Sequence, residues 1–376
     1  VRFRDAHTHL AAGAVDLVDL DLRALAGDAL IRAVASAAAE RPNGRWIRGW
    51  GWDGTMPARS GALDRVAPGH PVFLARRDGH AAWLSASAGR TLEVAGELVV
   101  ESAFDDARRR IPEPPWPERL AAVARQAEAF AAAGIDRVDD FVAPWAPEAY
   151  ARLAGDGRLP LAVAMWLPET TATEDADALR SSFPSGRGRV SAAGIKIFLD
   201  GTLGARTAAL FEPYADDPST CGTLRVDERD IGERVLAWAG RGWPVAIHAI
   251  GDRAVAVALG ALERAPRSEA GPHRIEHVQV IRRADLARFG RGGIVASVQP
   301  GHVHDDAAWW NARLGRRAEV IAYPLASLAR AGATLLFGSD WPVSDFSPDR
   351  IVAAATDRAR GDEALDRDQA LARLAA

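Results

Sequence analysis

The chain has one cysteine, Cys221, among its 376 residues. No internal disulfide can form, and no cysteine-based zinc cluster can be built. No uninterrupted apolar run approaches the roughly 20 residues that a membrane-spanning helix requires. The opening VRFRDAHTHL lacks the apolar core of a secretory signal. The cytoplasm is therefore the expected location, and a membrane is not an expected partner. An excess of basic charge is also lacking. The formal net charge is −4, which gives neither nucleic acid nor an anionic bilayer an electrostatic footprint. Lysine is nearly absent beside abundant alanine and arginine, a bias that reads as codon usage and says little about function. No G-x-S-x-G elbow occurs, which disfavours a serine hydrolase, and no Walker-type loop occurs, which disfavours a nucleotide enzyme. There is no repeat of fixed period, low-complexity segment or flexible linker.

What is present is an alternation of short apolar runs with alanine-rich amphipathic stretches, the pattern of a parallel sheet built from βα units. Strands are predicted at 1–7, 45–52, 71–76, 135–141, 160–167, 194–199, 244–250, 274–280, 293–299 and 333–339. Helices are predicted at 24–40, 117–133, 146–155, 228–241, 252–264, 283–289, 318–331 and 349–359. Ten strands are two too many for an eight-stranded barrel. The extra pair falls in residues 41–115, rich in Gly, Pro and Trp, which are assigned to an insertion after the first strand that covers one barrel mouth. The expected fold is thus α/β, a single (β/α)₈ TIM barrel over residues 1–376, of a length that such barrels reach.

Metal-competent residues recur at the ends of the predicted strands. His7 and His9 close the first strand one residue apart, so both side chains face the same way. Lys196 lies in GIKIFL on the fourth strand, His248 near the end of PVAIHAI on the fifth, His277 in RIEHV on the sixth, and Asp340 follows the eighth. The C-terminal strand ends of such a barrel converge on its active site. Singly, each histidine is more simply a hydrogen-bonded rim residue. Six groups arriving at one place from five strands are not. Imidazole and carboxylate donors suit Zn²⁺, with Mn²⁺, Fe²⁺ or Co²⁺ as alternatives. A bound ion would lower the pKa of a water, and Asp340 could carry a proton from that water to a leaving nitrogen. Lys196 has two readings. It is either a lysine salt-bridged to Asp340 or Asp200, or an amine that has reacted with CO₂ to give a carbamate able to bridge two ions. The choice decides between one ion and two.

The segments DAHTHL (5–10), RRDGHAAW (76–83), GIKIFLDGTLGARTAAL (194–210), AIHAIGDRAV (246–255), RIEHVQVI (274–281), SVQPGHVHDD (297–306), AYPLASLARAGA (322–333) and FGSDWPVS (337–344) resemble the amidohydrolase superfamily. The resemblance is to its YtcJ-like branch, which includes N-substituted formamide deformylases. It implies a metal-dependent hydrolase barrel whose site is His7, His9, carboxylated Lys196, His248 and His277, with Asp340 as the acid/base. It further implies substrate contacts from His80, reaching over the barrel mouth to polarise a carbonyl, and from Asp200, Arg206, Asp252, Arg253, Gln299 and His302. Helix capping explains Asp252 equally well. The pair His302 and His304 follows the seventh strand and reads as a loop. The tryptophans at 46, 50, 52, 309 and 310 suit either an apolar rim or ordinary packing.

Family members carry a small β-sandwich assembled from both chain ends. Here the sequence runs from the first predicted barrel strand to QALARLAA, just after the eighth barrel helix, so little or no accessory sandwich is expected. A second copy of the chain, in a homodimer, is a possible cover for the barrel flank. The reaction implied is hydrolysis of a C–N amide bond in a small molecule, of the N-substituted formamide or N-acyl amine type. An esterase, lactonase or cyclic amidase on the same site is the alternative. A catalytically silent binding or regulatory barrel ranks below both, because no ligand is missing.

Overall fold

The computed structural model describes residues 2–17, 20–54, 61–77, 79–184, 186 and 188–375. Val1 of the first predicted strand, Ala376, residues 55–60 of the predicted insertion and Asp78 of the RRDGHAAW segment lie outside the described residues. By contacts the chain forms two compact units, one of Val1–Ala11 with Val123–Ala376 and one of Ala12–Ala122.

The larger unit is a (β/α)₈ barrel. Its strands are β1 (Phe3–Thr8), β2 (Ile135–Phe141), β3 (Ala162–Pro168), β4 (Val190–Phe198), β5 (Val245–Ala249), β6 (Arg274–His277), β7 (Val295–Val298) and β8 (Thr334–Phe337). They lie side by side in that order, and every paired neighbour is parallel. Each coincides with one of the eight runs assigned to the barrel, because a strand covered on both faces must be apolar nearly throughout. The circle closes between β8 and β1. The Asp340 amide donates to the His7 carbonyl at 2.7 Å and the His9 amide to the Trp341 carbonyl at 2.8 Å. Gly338 permits this approach, since a Cβ there would stand 2.5 Å from the His7 backbone nitrogen.

Helices Ala146–Gly155, Thr173–Ser182, Glu228–Ala239, Asp252–Glu263, Leu286–Gly292, Leu325–Arg330 and Pro348–Thr356 follow β2 to β8 in turn. Two predictions fail here for a common reason. The predicted helix 318–331 begins as a strand, Val320–Ala322, and only Leu325–Arg330 is helical. The predicted strand 274–280 ends at His277, and Val280–Arg282 turns away to pair antiparallel with Val320–Ala322. The break is at His277 and Val278, whose φ angles are +75° and +47°. Left-handed backbone is costly for these residue types, so tertiary contacts override the local pattern. His302, predicted in a loop, starts the short helix His302–Asp305 and is buried.

The smaller unit is wider than the predicted 41–115 insertion. It holds a five-stranded mixed sheet of Leu20–Asp21, Ile47–Trp52, Val72–Arg76, Ala81–Leu84 and Leu98–Val100. Leu22, Leu30, Val34, Ile47, Trp52, Val72, Leu74 and Trp83 form its own core. Packing therefore explains Trp52, and Trp309 and Trp310 likewise pack on a cluster around Leu210 and Tyr214. Gly49, Gly51 and Gly54 have the spacing of a dinucleotide fingerprint. Gly49 and Gly51 lie inside a strand rather than at a turn opening a helix, so they build no phosphate cradle. Among the described residues there is no β-sandwich, and no helix is long and apolar enough to cross a membrane.

Candidate metal centre

His7, His9, Lys196, His248, His277 and Asp340 meet at the C-terminal ends of the barrel strands. One ligand atom each from His7, His277 and Asp340 lies within 4.8 Å of the others. Asp340 Oδ1 is 3.3 Å from His7 Nε2 and 3.2 Å from His9 Nε2. The His7 and His277 rings are 4.8 Å apart, and those of His248 and His277 are 4.5 Å apart. His302 joins the group, with Nε2 3.5 Å from Asp340 Oδ2 and its ring stacked 5.8 Å from that of His277.

Neighbouring oxygens decide which ring nitrogen each histidine presents. Carbonyl and carboxylate oxygens only accept, so in a neutral ring the nitrogen bonded to one outside the cluster carries the proton and the other nitrogen keeps its lone pair. His7 Nδ1 donates to Glu276 Oε2 at 2.6 Å, leaving the Nε2 lone pair towards Asp340. His9 Nδ1 donates to the Phe141 carbonyl at 3.3 Å, again leaving Nε2. His248 Nε2 donates to the Gly201 carbonyl at 3.1 Å, leaving Nδ1. His302 differs. Its Nδ1 receives the Gln279 amide at 2.8 Å, so the proton of a neutral ring sits on Nε2, facing Asp340. His302 thus turns an N–H, not a lone pair, towards the carboxylate, 3.5 Å away.

Burial lowers the pKa of His7 and takes His277 well below its ordinary value. Both rings are thus neutral near pH 7, with lone pairs available to a cation. Burial alone would raise Asp340, but the imidazoles packed around it, His7 first and then His9 and His277, hold it well below the usual carboxylate range. His7 Nε2, His277 Nδ1 and Lys196 Nζ are buried and without a hydrogen-bond partner among the described residues. Buried polar atoms left unpaired cost about 1–3 kcal/mol each, and the two imidazole nitrogens beside one ionised carboxylate fit a divalent ion. The donors, imidazole nitrogen and carboxylate oxygen, suit Zn²⁺ and its first-row neighbours.

Lys196 makes no ion pair with Asp340 or Asp200 among the described residues, which removes the salt-bridge reading. Its Nζ lies 4.1 Å from the Phe141 ring centre and 5.0 Å from that of Phe198. Burial lowers its pKa to about 8, so part of the population is a free amine near neutral pH. It is also the only lysine in the chain.

The remaining expected residues separate. Asp200 accepts from the amides of Ala209, Ile250 and Gly251 at 2.9–3.0 Å and approaches His248 Nε2 at 3.5 Å. It holds the loops after β4 and β5 together. Asp252 accepts from the amides of Phe211 and Arg253 at 3.1 and 3.0 Å. It is the first residue of its helix, whose N-cap is Gly251 without a side-chain cap bond, so it ties the loop after β4 to the helix start and does not cap it. Arg206 pairs with Asp216, and Arg253 with Glu228. Gln299 is buried with Nε2 on the Ser297 carbonyl at 3.4 Å. His80 belongs to the smaller unit, where its Nδ1 is 3.0 Å from Glu101 Oε2.

Beneath the donors lies a layer absent from the expectations. Arg274 bonds Glu276, Asp139, Ser297 and the Ala6 carbonyl, and Arg4 bonds Asp139. Glu276 in turn holds His7. Burial disfavours the Glu276 carboxylate, yet Arg274 and His7 keep it far below its ordinary 4.5. Charged residues at 139, 274 and 276 inside apolar strands were the available signal. In a regular strand Glu276 and His277 would face opposite ways. Both reach the interior because His277 leaves the extended region.

An eight-stranded barrel with histidines from β1, β5 and β6 and an aspartate after β8 defines a hydrolase barrel of the metal-dependent type. The amidohydrolase family profile matches residues 3–376, and the chain belongs to that family. It is 30% identical to Protein LONG AFTER FAR-RED 3 of Arabidopsis thaliana, over 94% of this chain and 67% of that protein. It is 29% identical to the putative amidohydrolase YtcJ of Bacillus subtilis, over 92% and 70%. Identity to the N-substituted formamide deformylase of Arthrobacter pascens is 24%, over 98% and 76%. A crystal structure of an uncharacterized metal-dependent hydrolase from Pyrococcus horikoshii superposes with a TM-score of 0.80 at 29% identity, covering 99% of this chain and 79% of that one.

Proposed function

We propose that the chain hydrolyses a C–N amide bond in a small N-substituted formamide or N-acyl amine. The observation that carries this reading is the pair of neutral, partnerless His7 and His277 nitrogens beside the ionised Asp340 carboxylate. His7, His9, His248 and His277 would hold the ion through the lone pairs named above, with Asp340 Oδ1 among them. A bound divalent ion supplies Lewis acidity and makes water acidic enough to attack a carbonyl near neutral pH. Asp340 Oδ2, turned away from the ring of donors and towards His302, is placed to take the proton from water and pass it to the leaving amine nitrogen. The His302 Nε2–H, 3.5 Å away, would favour that oxygen in its ionised form. An amide needs this more than an ester does, because an amine leaves only after protonation. Lys196, as a carbamate, would add an anionic donor for a second ion. The similarity to a formamide deformylase, a name that belongs to that relative, supports the choice of bond.

The test is a hydrolysis screen of zinc- and manganese-loaded protein on N-benzylformamide, N-acetylbenzylamine, γ-lactones and phenyl esters. The reading requires amide turnover that disappears with chelation and returns with metal. Turnover of esters and lactones with none of either amide would contradict it.

A further inference from the structure

The Asp340 backbone is left-handed, with φ at +57°. That region is disfavoured for residues other than glycine and persists where the surroundings impose it. Here both neighbours of Asp340 are clamped. Ser339 donates its amide to Asp5 Oδ1 at 2.9 Å and its hydroxyl to Asp5 Oδ2, while its Oγ accepts the Trp341 amide at 3.0 Å. The residues before and after Asp340 are thus joined through one hydroxyl. The Val343 amide donates to the Asp340 carbonyl at 2.8 Å and completes the turn.

Asp5 reaches a second donor as well. The register of β1 against β2 shifts between Asp5 and Thr8, and the His7 amide inside that stretch donates to Asp5 Oδ1 at 3.2 Å. Asp5 and Ser339 are each 1% exposed, so bulk water does not compete for these bonds. One buried carboxyl group therefore holds the backbone of His7 and of the residue before Asp340, and both of its oxygens are taken up in doing so. We propose that Asp5 is a positioning residue. Acting through the Ser339 hydroxyl, it holds the left-handed turn that sets the Asp340 carboxylate beside the His7 and His9 nitrogens. A carboxylate displaced by a fraction of an ångström would still lie in the site, but it would hold an ion and meet a water less well. The inference rests on the hydrolytic reading only for the proton that Asp340 carries, and its metal readouts do not depend on turnover.

The test compares wild type, Asp5→Asn, Ser339→Ala and the double variant, each as the full chain. Asparagine keeps an oxygen for the two amides but turns an NH₂ towards the hydroxyl, so both single changes strike the same bond. Each should weaken Zn²⁺ binding about tenfold by chelator competition. Each should also lower kcat on N-benzylformamide about 10–100-fold, with KM within about twofold. The double variant should be no worse than Ser339→Ala, because the two residues act as a unit. Loaded with Co²⁺, whose visible bands report ligand geometry, the variants should show bands shifted from those of the wild type. A residue that merely stabilised the fold would lower the melting temperature and leave the bands, the Zn²⁺ affinity and kcat per bound ion unchanged. That result would overturn the proposal, as would effects that add in the double variant. Ser339→Ala removes a single buried oxygen, and its bands decide the matter where Asp5→Asn does not fold. Shifted bands with no amide turnover by the wild type would sink the hydrolytic reading and leave the positioning role standing. Amide turnover with unchanged bands in both variants would do the reverse.

Discussion

Two buried polar layers lie one above the other in the barrel, and they are satisfied in opposite ways. In the lower layer Arg4, Asp139, Arg274, Glu276 and Ser297 bond one another, and each guanidinium nitrogen of Arg274 has an acceptor. In the upper layer His7 Nε2, His277 Nδ1 and Lys196 Nζ have none. Apart from Arg4, whose side chain is 20% exposed, both layers are buried. Burial therefore does not separate them. The difference is that the lower layer completes itself and the upper one is complete only with something else bound. His7 belongs to both, with one nitrogen on Glu276 and the other beside Asp340.

The contrast can be broken from above most severely. Asp340→Asn keeps one oxygen for the ion and removes the proton carrier. Turnover should fall by about 10²–10⁴-fold while metal content, by elemental analysis, is largely retained. Loss of metal in proportion to activity would make Asp340 only a ligand. Lys196 gives the second test. With a single lysine in the chain, protein exchanged into ¹³C-bicarbonate should show one protein-bound carbamate resonance by NMR, absent in Lys196→Ala. Its absence from metal-loaded wild type would leave a site for one ion.

Changes below should be smaller in rate and larger in stability. Glu276→Ala leaves Arg274, whose side chain is 2% exposed, short of a buried partner. Removing one member of such a pair costs about 3–5 kcal/mol, readable by chemical denaturation. Glu276→Gln keeps the volume and one acceptor. It should weaken metal binding about 10–100-fold, as loss of an outer partner of a ligating histidine does, measured by chelator competition. Acid should separate these proteins further. The depressed Glu276 carboxyl contributes stability that is present above its ordinary 4.5 and lost as pH falls towards its lowered value. The melting temperature of metal-free wild type should therefore fall more steeply below about pH 4.5 than that of Glu276→Gln. Equal slopes would mean Glu276 is not held ionised.

The smallest effects are expected outside both layers. Arg206 bonds Asp216 on a partly exposed loop, so Arg206→Ala should change stability by about 0.5 kcal/mol or less and leave kcat/KM within about twofold. A tenfold loss would restore it as a substrate contact.

The eight barrel strands were legible because strands buried on both faces are apolar throughout. The donors were legible because His and Asp at strand ends break that rule. Chain position alone does not reveal that Asp200 and Asp252 accept from loop amides or that Arg206 pairs with Asp216. Glu276 stayed hidden because regular strand alternation turns it away from its neighbour His277. Only the left-handed backbone at His277 brings both to the same interior.

The most direct measurement of the central claim is metal stoichiometry by elemental analysis after dialysis against limiting Zn²⁺, for wild type and for the His7→Ala/His277→Ala pair. At least one tightly held ion per wild-type chain, lost in the double variant while its fold by circular dichroism persists, is the predicted result. Wild-type protein that cannot be loaded, or a double variant that retains the ion, would contradict it.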